Sequence, residues 1–261
     1  MNFLHLELTS RCNKACWMCG RRKMEREHPE LCDWGDMPLD MVSDISFQVK
    51  DSVVQFHNNG EPTLYPNLKT ALLLFGGRGN IRQFNTNGKL LMEKADEIIG
   101  NLEILTISVI QDDPEAEAQY EIAKTFIEKK RSNRPVIVFR VLGQIPKLYR
   151  DRYKTLGGVR ALRTLHIPEG SRCYEKLPSV PEIGICLDLL THLAIDRKGD
   201  VSMCVRFDPA RDLVLGNIQE NTLDYFWHHP KRLAYIETHL KQGRSELPGC
   251  KDCDYWGVPN G

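Results

Sequence analysis

Several things are missing from this sequence of 261 residues. No apolar run approaches the ~20 residues needed to span a bilayer. The start, MNFLHLELTS, lacks a basic segment followed by a long apolar core, so a signal peptide is not expected and the chain reads as cytoplasmic. Neither charge sign is in excess: Lys plus Arg and Asp plus Glu are each 35. Nothing therefore suggests general attraction to nucleic acid or to an anionic membrane. There is no internal repeat and no low-complexity segment. An even cysteine count is also lacking. The chain has 9 cysteines, which argues against a complete disulfide framework and, in a reducing compartment, points to metal ligands or catalytic thiols. The length suffices for one large domain, or one domain plus a small appendage, with a core that needs no disulfide staples.

What is present is an alternation of strand and helix signals. FLHLEL (3–8), SVVQFH (52–57), NIRQFN (80–85), LEILTISVI (102–110), PVIVFRVLG (135–143) and ALRTLHI (161–167) read as strands. Between them, 38–50, 66–75, 89–99, 114–130 and the stretch from Pro146 have helical spacing. The helix at 114–130 carries acidic residues first and lysines last, as its dipole prefers. Six alternations imply parallel pairing with right-handed crossovers, in a doubly wound sheet or a complete or partial barrel. Either way, ligands sit at the C-terminal strand ends. The pattern breaks near residue 170, and 178–184 is a plausible linker. THLAIDRKGDVSMC (191–204) reads as a hairpin turning at Lys198-Gly199, and Asn221 to about Leu240 as one helix.

The stretch TSRCNKACWMCGRR places Cys12, Cys16 and Cys19 in the loop after the first strand, spaced C-x3-C-x2-C. Soft thiolates favour zinc or iron–sulfur clusters. Structural zinc needs four closed ligands, so three local thiolates would have to recruit a distant fourth. The alternative is a four-iron four-sulfur cluster with one iron open to a ligand.

This motif after the first strand of an α/β chain resembles the signature of the radical S-adenosylmethionine (SAM) enzymes. The resemblance implies an α/β fold built on a partial (β/α)6 TIM-like barrel. It also implies a 4Fe-4S cluster on Cys12, Cys16 and Cys19 whose unique iron chelates SAM, giving a 5'-deoxyadenosyl radical that abstracts a substrate hydrogen. Met18 stands where an aromatic residue is frequent, and is expected to touch adenine. NNGEPTL (58–64) resembles the family's Gly-Glu-Pro motif. It puts Asn59, Gly60, Glu61 and Pro62 at the cofactor, with Gly60 allowing close backbone approach and Glu61 accepting a hydrogen bond from the SAM ammonium. Asn85 and Asn87 in FNTNGK are expected at the ribose, and Ser108 at ribose or carboxylate. Arg140, a charge inside an apolar strand that needs a partner, is expected to meet the SAM carboxylate.

Cys186, Cys204, Cys250 and Cys253 form a second set, C-x17-C-x45-C-x2-C. By themselves they would suit a closed zinc site. Their segment resembles the C-terminal auxiliary-cluster domains of radical SAM enzymes, the SPASM domains and their shortened twitch form. In length and cysteine spacing the chain is similar to aminocyclitol dehydrogenases of that family. The resemblance implies a second, fully ligated 4Fe-4S cluster for electron transfer. It divides the chain into a barrel, 1–177, and a small β-hairpin plus helix auxiliary domain, 178–261.

Two cysteines remain. Cys32 reads as buried filler. Cys173, past the sixth strand, is placed over the pocket as a possible hydrogen-atom donor, and Arg172 or Glu169 would bind substrate or take a proton from its radical. His57, Asn58, Gln144, Arg206 and Asp208 add polarity at the strand ends, which suits a hydroxyl- or amine-rich small molecule. The expected activity is two-electron oxidation of a sugar or cyclitol alcohol, with an electron donor such as flavodoxin or ferredoxin. The alternatives are redox-neutral epimerisation through Cys173, peptide modification (disfavoured by a first cysteine loop starting at residue 12), and a zinc-bearing binding module without catalysis.

Overall fold

Period-two apolar stretches and helical spacings alternate as the sequence implies in the computed structural model, which describes residues 1–143, 145–157, 159–163, 185–205, 208, 210–251 and 253. The first half runs β1 (Phe3–Leu6), α1 (Gly20–Glu27), α2 (Leu39–Gln48), β2 (Val53–Gln55), α3 (Leu68–Leu74), β3 (Ile81–Thr86) and α4 (Ala95–Ile98). It continues through β4 (Ile104–Ile110), α5 (Ala116–Lys130), β5 (Val136–Leu142), α6 (Lys147–Thr155) and β6 (Val159–Arg163). Then come α7 (Leu187–Thr191), β7 (His192–Ile195), β8 (Asp200–Ser202), β9 (Val214–Asn217), α8 (Leu223–Trp227) and α9 (Pro230–Leu240).

The strands form one open sheet in the order β6-β5-β4-β3-β2-β1-β7-β8-β9. β1 to β6 pair in parallel, each with its sequence neighbour, which is the partial six-stranded barrel. The hairpin β7–β8 does not stand apart. β7 pairs in parallel with β1, Phe3 opposite His192 and His5 opposite Ala194, and β8 and β9 follow antiparallel.

Register gives the sheet two unlike faces. Leu4, Leu6, Val54, Phe84, Leu105, Ile107, Phe139 and Leu193 are fully buried on one face, in the main core. Each contributes roughly 1.5–3 kcal/mol. The alternate residues His5, Gln55 and Gln83 share a level on the other face, and Asn85 and Thr106 the next. A parallel sheet buried on both faces usually reads as continuous apolar runs. Here one face is polar, as the lining of a ligand-holding concavity is.

Three local readings change. The single helix expected over 221–240 is two, because Pro230, which lacks an N–H, starts α9 and ends the run from α8 at His228-His229. Of the helix expected over 89–99, only Ala95–Ile98 is helical. α1 and β9 were not foreseen: α1 is too charged to show an apolar stripe, and β9 is only four residues long. The hairpin turn falls as expected, with Gly199 at φ 89°. No described helix is long and apolar enough to cross a membrane.

Candidate cluster and cofactor site

The cysteine loop leaves the C-terminal end of β1 and is fastened before its first thiol. Ser10 exchanges hydrogen bonds with the Gly35 backbone. Arg11 pairs with Asp36 and donates to the Leu64 carbonyl at 3.0 Å. Arg21, stacked on Trp34 at 3.9 Å, donates to the Ser10 carbonyl at 2.7 Å. Cys19 closes a turn onto the Cys16 carbonyl at 3.1 Å and is the N-cap of α1.

All three thiols are free and half-buried. Burial, then the neighbouring Cys19 thiol, pushes Cys16 up to about 12, and burial foremost also raises Cys12. A metal cation held between such adjacent thiols would stabilise them as thiolates. That donor set fits an iron–sulfur cluster. Among the described residues no three His, Cys, Asp or Glu side chains close on the geometry of a single metal ion. Met18, within this loop, is buried.

The NNGEPTL loop packs directly on the cysteine loop. The Glu61 N–H donates to the Arg11 carbonyl at 2.8 Å. A Cβ on Gly60 would lie 2.0 Å from the Thr9 carbonyl oxygen. Gly60 is therefore required by the approach of one loop backbone to another, where the sequence suggested approach to a ligand. Glu61 also takes an inward position. Its Oε1 accepts from the Thr63 N–H and hydroxyl and from the Thr86 hydroxyl, and its Oε2 accepts from the Asn87 N–H. Only 3% of Glu61 is exposed, and through these bonds the residue braces the ends of β2 and β3. Pro62 is buried beside it and opens a short 3-10 turn.

The remaining expected contacts divide. Asn87 donates from Nδ2 to Asn13 Oδ1 at 2.8 Å and accepts at Oδ1 from the Lys89 N–H, so its side chain ties β3 to the cysteine loop. Asn85 lies with its Nδ2 3.5 Å from His57 Nδ1, on the polar face. Ser108 and Arg140 are directly opposite one another on β4 and β5, both half-buried on that face. Asn59 donates from both N–H and Nδ2 to Glu7 Oε2, at 3.0 and 2.9 Å.

Glu7 is a residue the sequence reading passed over. It directly follows β1 with 3% exposed, and burial, then the charge of Asp196, pushes its carboxyl up to about 7. Its only sequence signal was a charge in a strand position that points inward. A cavity of about 130 Å³ opens beside it. Its lining includes Met24 of α1, Asn58, Asn59, Asp196, Ser202 and, from the second cysteine set, Cys204.

The second set gathers around a separate small core. Leu189, Met203, Leu213 and Tyr235 are buried together, with Cys186, Cys204 and Cys250 packed against them. The Cys253 N–H donates to the Cys250 carbonyl at 3.2 Å, and Arg244 donates to the Cys253 carbonyl. Burial, then the neighbouring Cys186 and Cys253 thiols, pushes Cys250 up to about 12. Four thiols brought together from three separate chain segments fit a fully ligated cluster. Cys32 is half-buried at the protein surface, its thiol 3.6 Å from the His28 carbonyl, and is not core filler. Glu169, Arg172 and Cys173, with Gln144 and Arg206, lie outside the described residues.

Comparison with known proteins agrees with this geometry. Residues 186–254 match the SPASM family, an iron–sulfur cluster-binding domain. An S-adenosyl-L-methionine-dependent 2-deoxy-scyllo-inosamine dehydrogenase of Niallia circulans is 24% identical over 97% of this chain and 92% of its own length. A tungsten-containing aldehyde ferredoxin oxidoreductase cofactor-modifying protein of Pyrococcus furiosus is 32% identical, but the match spans only 42% of this chain and 30% of that relative. The crystal structure of BtrN in complex with AdoMet and 2-DOIA superposes with a TM-score of 0.63 at 16% identity, covering 100% of this chain and 95% of BtrN. In its open barrel, its cysteine pattern and its SPASM segment at residues 186–254, the chain is similar to radical SAM enzymes that carry an auxiliary iron–sulfur domain.

Proposed function

We propose that this protein removes two electrons from a hydroxyl-bearing polar small molecule, a sugar or cyclitol alcohol. Residues 1–177 would act as the SAM-cleaving barrel and 178–261 as a twitch-type auxiliary domain. The observation that carries this reading is the polar cavity lined by Asn58, Asn59 and Cys204 together.

Cys12, Cys16 and Cys19 would hold a four-iron cluster with one open iron, and Cys186, Cys204, Cys250 and Cys253 a closed one. When bound, the first group with SAM supplies hydrogen-atom abstraction at an unactivated carbon, and the second supplies a one-electron acceptor. The chain's own part is orientation. Glu61 and Asn87 hold the loops after β2 and β3 against the cysteine loop. Arg140 has the charge and fork geometry to hold the SAM carboxylate. Asn85 and Thr106 share one level of the polar face, with His57 beside Asn85, and a lining of this polarity suits a hydroxylated substrate better than an apolar one. Glu169 and Arg172 are the proposed residues for handling the substrate proton, and a flavodoxin or ferredoxin the proposed electron donor.

The test is anaerobic reconstitution, followed by 5'-deoxyadenosine release against a panel of aminocyclitols, sugars and short peptides. Release with a cyclitol or sugar, matched by a carbonyl product, supports the reading. Solvent deuterium appearing at carbon and vanishing in Cys173→Ala would replace oxidation by epimerisation, and release with peptides alone would replace the substrate class.

A further inference from the structure

The residues that separate the three N-terminal cysteines are themselves held. Lys14, midway between Cys12 and Cys16, points away from the loop into the segment joining β4 to α5. Its ammonium lies 2.6 Å from Asp113 Oδ2 and 3.2 Å from Glu115 Oε2, with Lys14 7% and Asp113 1% exposed at the side chain. Glu115 continues the chain of charges to Lys89 at 2.6 Å, and Lys89 reaches the Asn13 carbonyl at 3.4 Å. Asp113 is fixed in turn, its Oδ1 accepting from the Glu115 N–H at 3.0 Å. Trp17 adds a third tie, its indole N–H donating to the Gln111 carbonyl at 3.0 Å. Asn13, Lys14 and Trp17 thus each bind the loop that follows β3 or β4.

A buried ion pair of this kind contributes little net stability against an apolar pair, because both ions lose hydration. Breaking one side is costly, since the other charge is left buried. Such a pair therefore acts chiefly by specifying a geometry. Lys14 also stands at the midpoint of the sequence between two thiols of the proposed cluster. An ammonium there without an anion of its own would pair with the thiolates and pull the loop out of shape.

We propose that Asp113 is a positioning residue for the first cluster: through Lys14 it holds the Cys12–Cys19 loop in its cluster-binding form and locks that loop to the ends of β3 and β4. This rests on the assignment of that loop as an iron–sulfur site. The network carries two cations and two carboxylates, so it orders the loop without adding net charge beside the thiolates.

The experiment compares reconstituted parent, Asp113→Asn and Asp113→Glu for the rate at which a chelator removes iron from each site. The sites are resolved against variants lacking one cysteine set, and the reduced N-terminal cluster is also read by EPR with and without SAM. Expected for Asp113→Asn is iron loss from the N-terminal site faster by about tenfold or more, as when a group supporting a metal ligand is removed. The auxiliary site should be unchanged, the EPR signal broadened, and Asp113→Glu near the parent. An unchanged N-terminal rate, or equal acceleration at both sites, overturns the inference. Should Asp113→Asn fail to fold, Lys14→Met is read by the same criterion. A parent that takes up no iron at Cys12, Cys16 and Cys19 overturns the site assignment and the inference together, whereas iron uptake with no effect of Asp113 overturns the inference alone.

Discussion

The backbone N–H of Glu61 donates to the carbonyl of Arg11 at 2.8 Å, one residue before the first cysteine. The Gly-Glu-Pro loop and the cysteine loop are therefore a single packed unit, and changes in one are expected to be felt in the other.

Gly60 is the tightest point of that unit. A Cβ there would stand 2.0 Å from the Thr9 carbonyl and 2.8 Å from that of Arg11, and backbone cannot swing aside as a flexible side chain can. Gly60→Ala is expected to destabilise the protein by about 1–3 kcal/mol or more and to lower iron content at the N-terminal site while sparing the auxiliary one. Thermal melting together with iron analysis checks it.

Glu61→Gln exchanges one acceptor oxygen for an NH2 group. The four donors now facing the carboxylate come from Thr63, Thr86 and Asn87, so at least one is left facing another donor. A loss of about 1–3 kcal/mol in stability follows. If melting were unchanged and only SAM affinity fell, Glu61 would be a ligand contact after all.

Glu7 predicts a pH dependence. Its folded-state value is about 7 against an ordinary 4.5, raised by burial and then by Asp196. The folded state therefore holds a proton that the unfolded chain has released, and stability falls as pH rises. The fall begins near 4.5 and is complete once pH passes about 7. Its size is on the order of 3 kcal/mol. Glu7→Gln is expected to flatten the slope of unfolding free energy between pH 5 and pH 7, measured by urea denaturation; an unaltered slope would assign the dependence elsewhere.

Arg140→Met is expected to weaken SAM binding about tenfold or more, in line with the 1.5–3 kcal/mol of a hydrogen bond to a charged group. Reduced-cluster EPR titrated with SAM is the measurement. Weakening of the same size with methionine methyl ester substituted for methionine in SAM-competition would show that the carboxylate is not what Arg140 reads.

The two cysteine sets make a counting prediction. Reconstituted protein should hold about eight irons, falling to about four when Cys12, Cys16 and Cys19 are all replaced by Ala. About four in the parent, all lost in that variant, would leave the C-terminal set without iron and remove the support for oxidation.

Much of the barrel was legible in the sequence because strand and helix periods are local. Leu4, Leu6, Leu105 and Ile107 alternate with polar residues, and that alternation holds whatever lies across the sheet. The same locality misled at Asn221–Leu240, where the apolar spacing runs on through Pro230 although the hydrogen-bond ladder cannot. Glu61 is the sharper case. A carboxylate in a loop looks solvent-facing, and only the meeting of Thr63, Thr86 and Asn87 around it reveals that it is buried and braces two strand ends. Lys14 and Asp113, 99 positions apart, carry no mutual signal in a single sequence.

The sequence by itself determined the kinds of atoms available: seven thiols in two spaced sets, and strands with one apolar and one polar edge. Those follow from residue identity and from backbone periodicity, which need no partner. Only the tertiary structure decided how they are used. The pairing of β7 with β1 makes the auxiliary hairpin a continuation of the barrel sheet, and burial turned Glu61 inward and gave Glu7 its raised carboxyl. Desolvation and hydrogen-bond satisfaction are properties of an environment assembled from distant segments, and no single stretch of chain contains them.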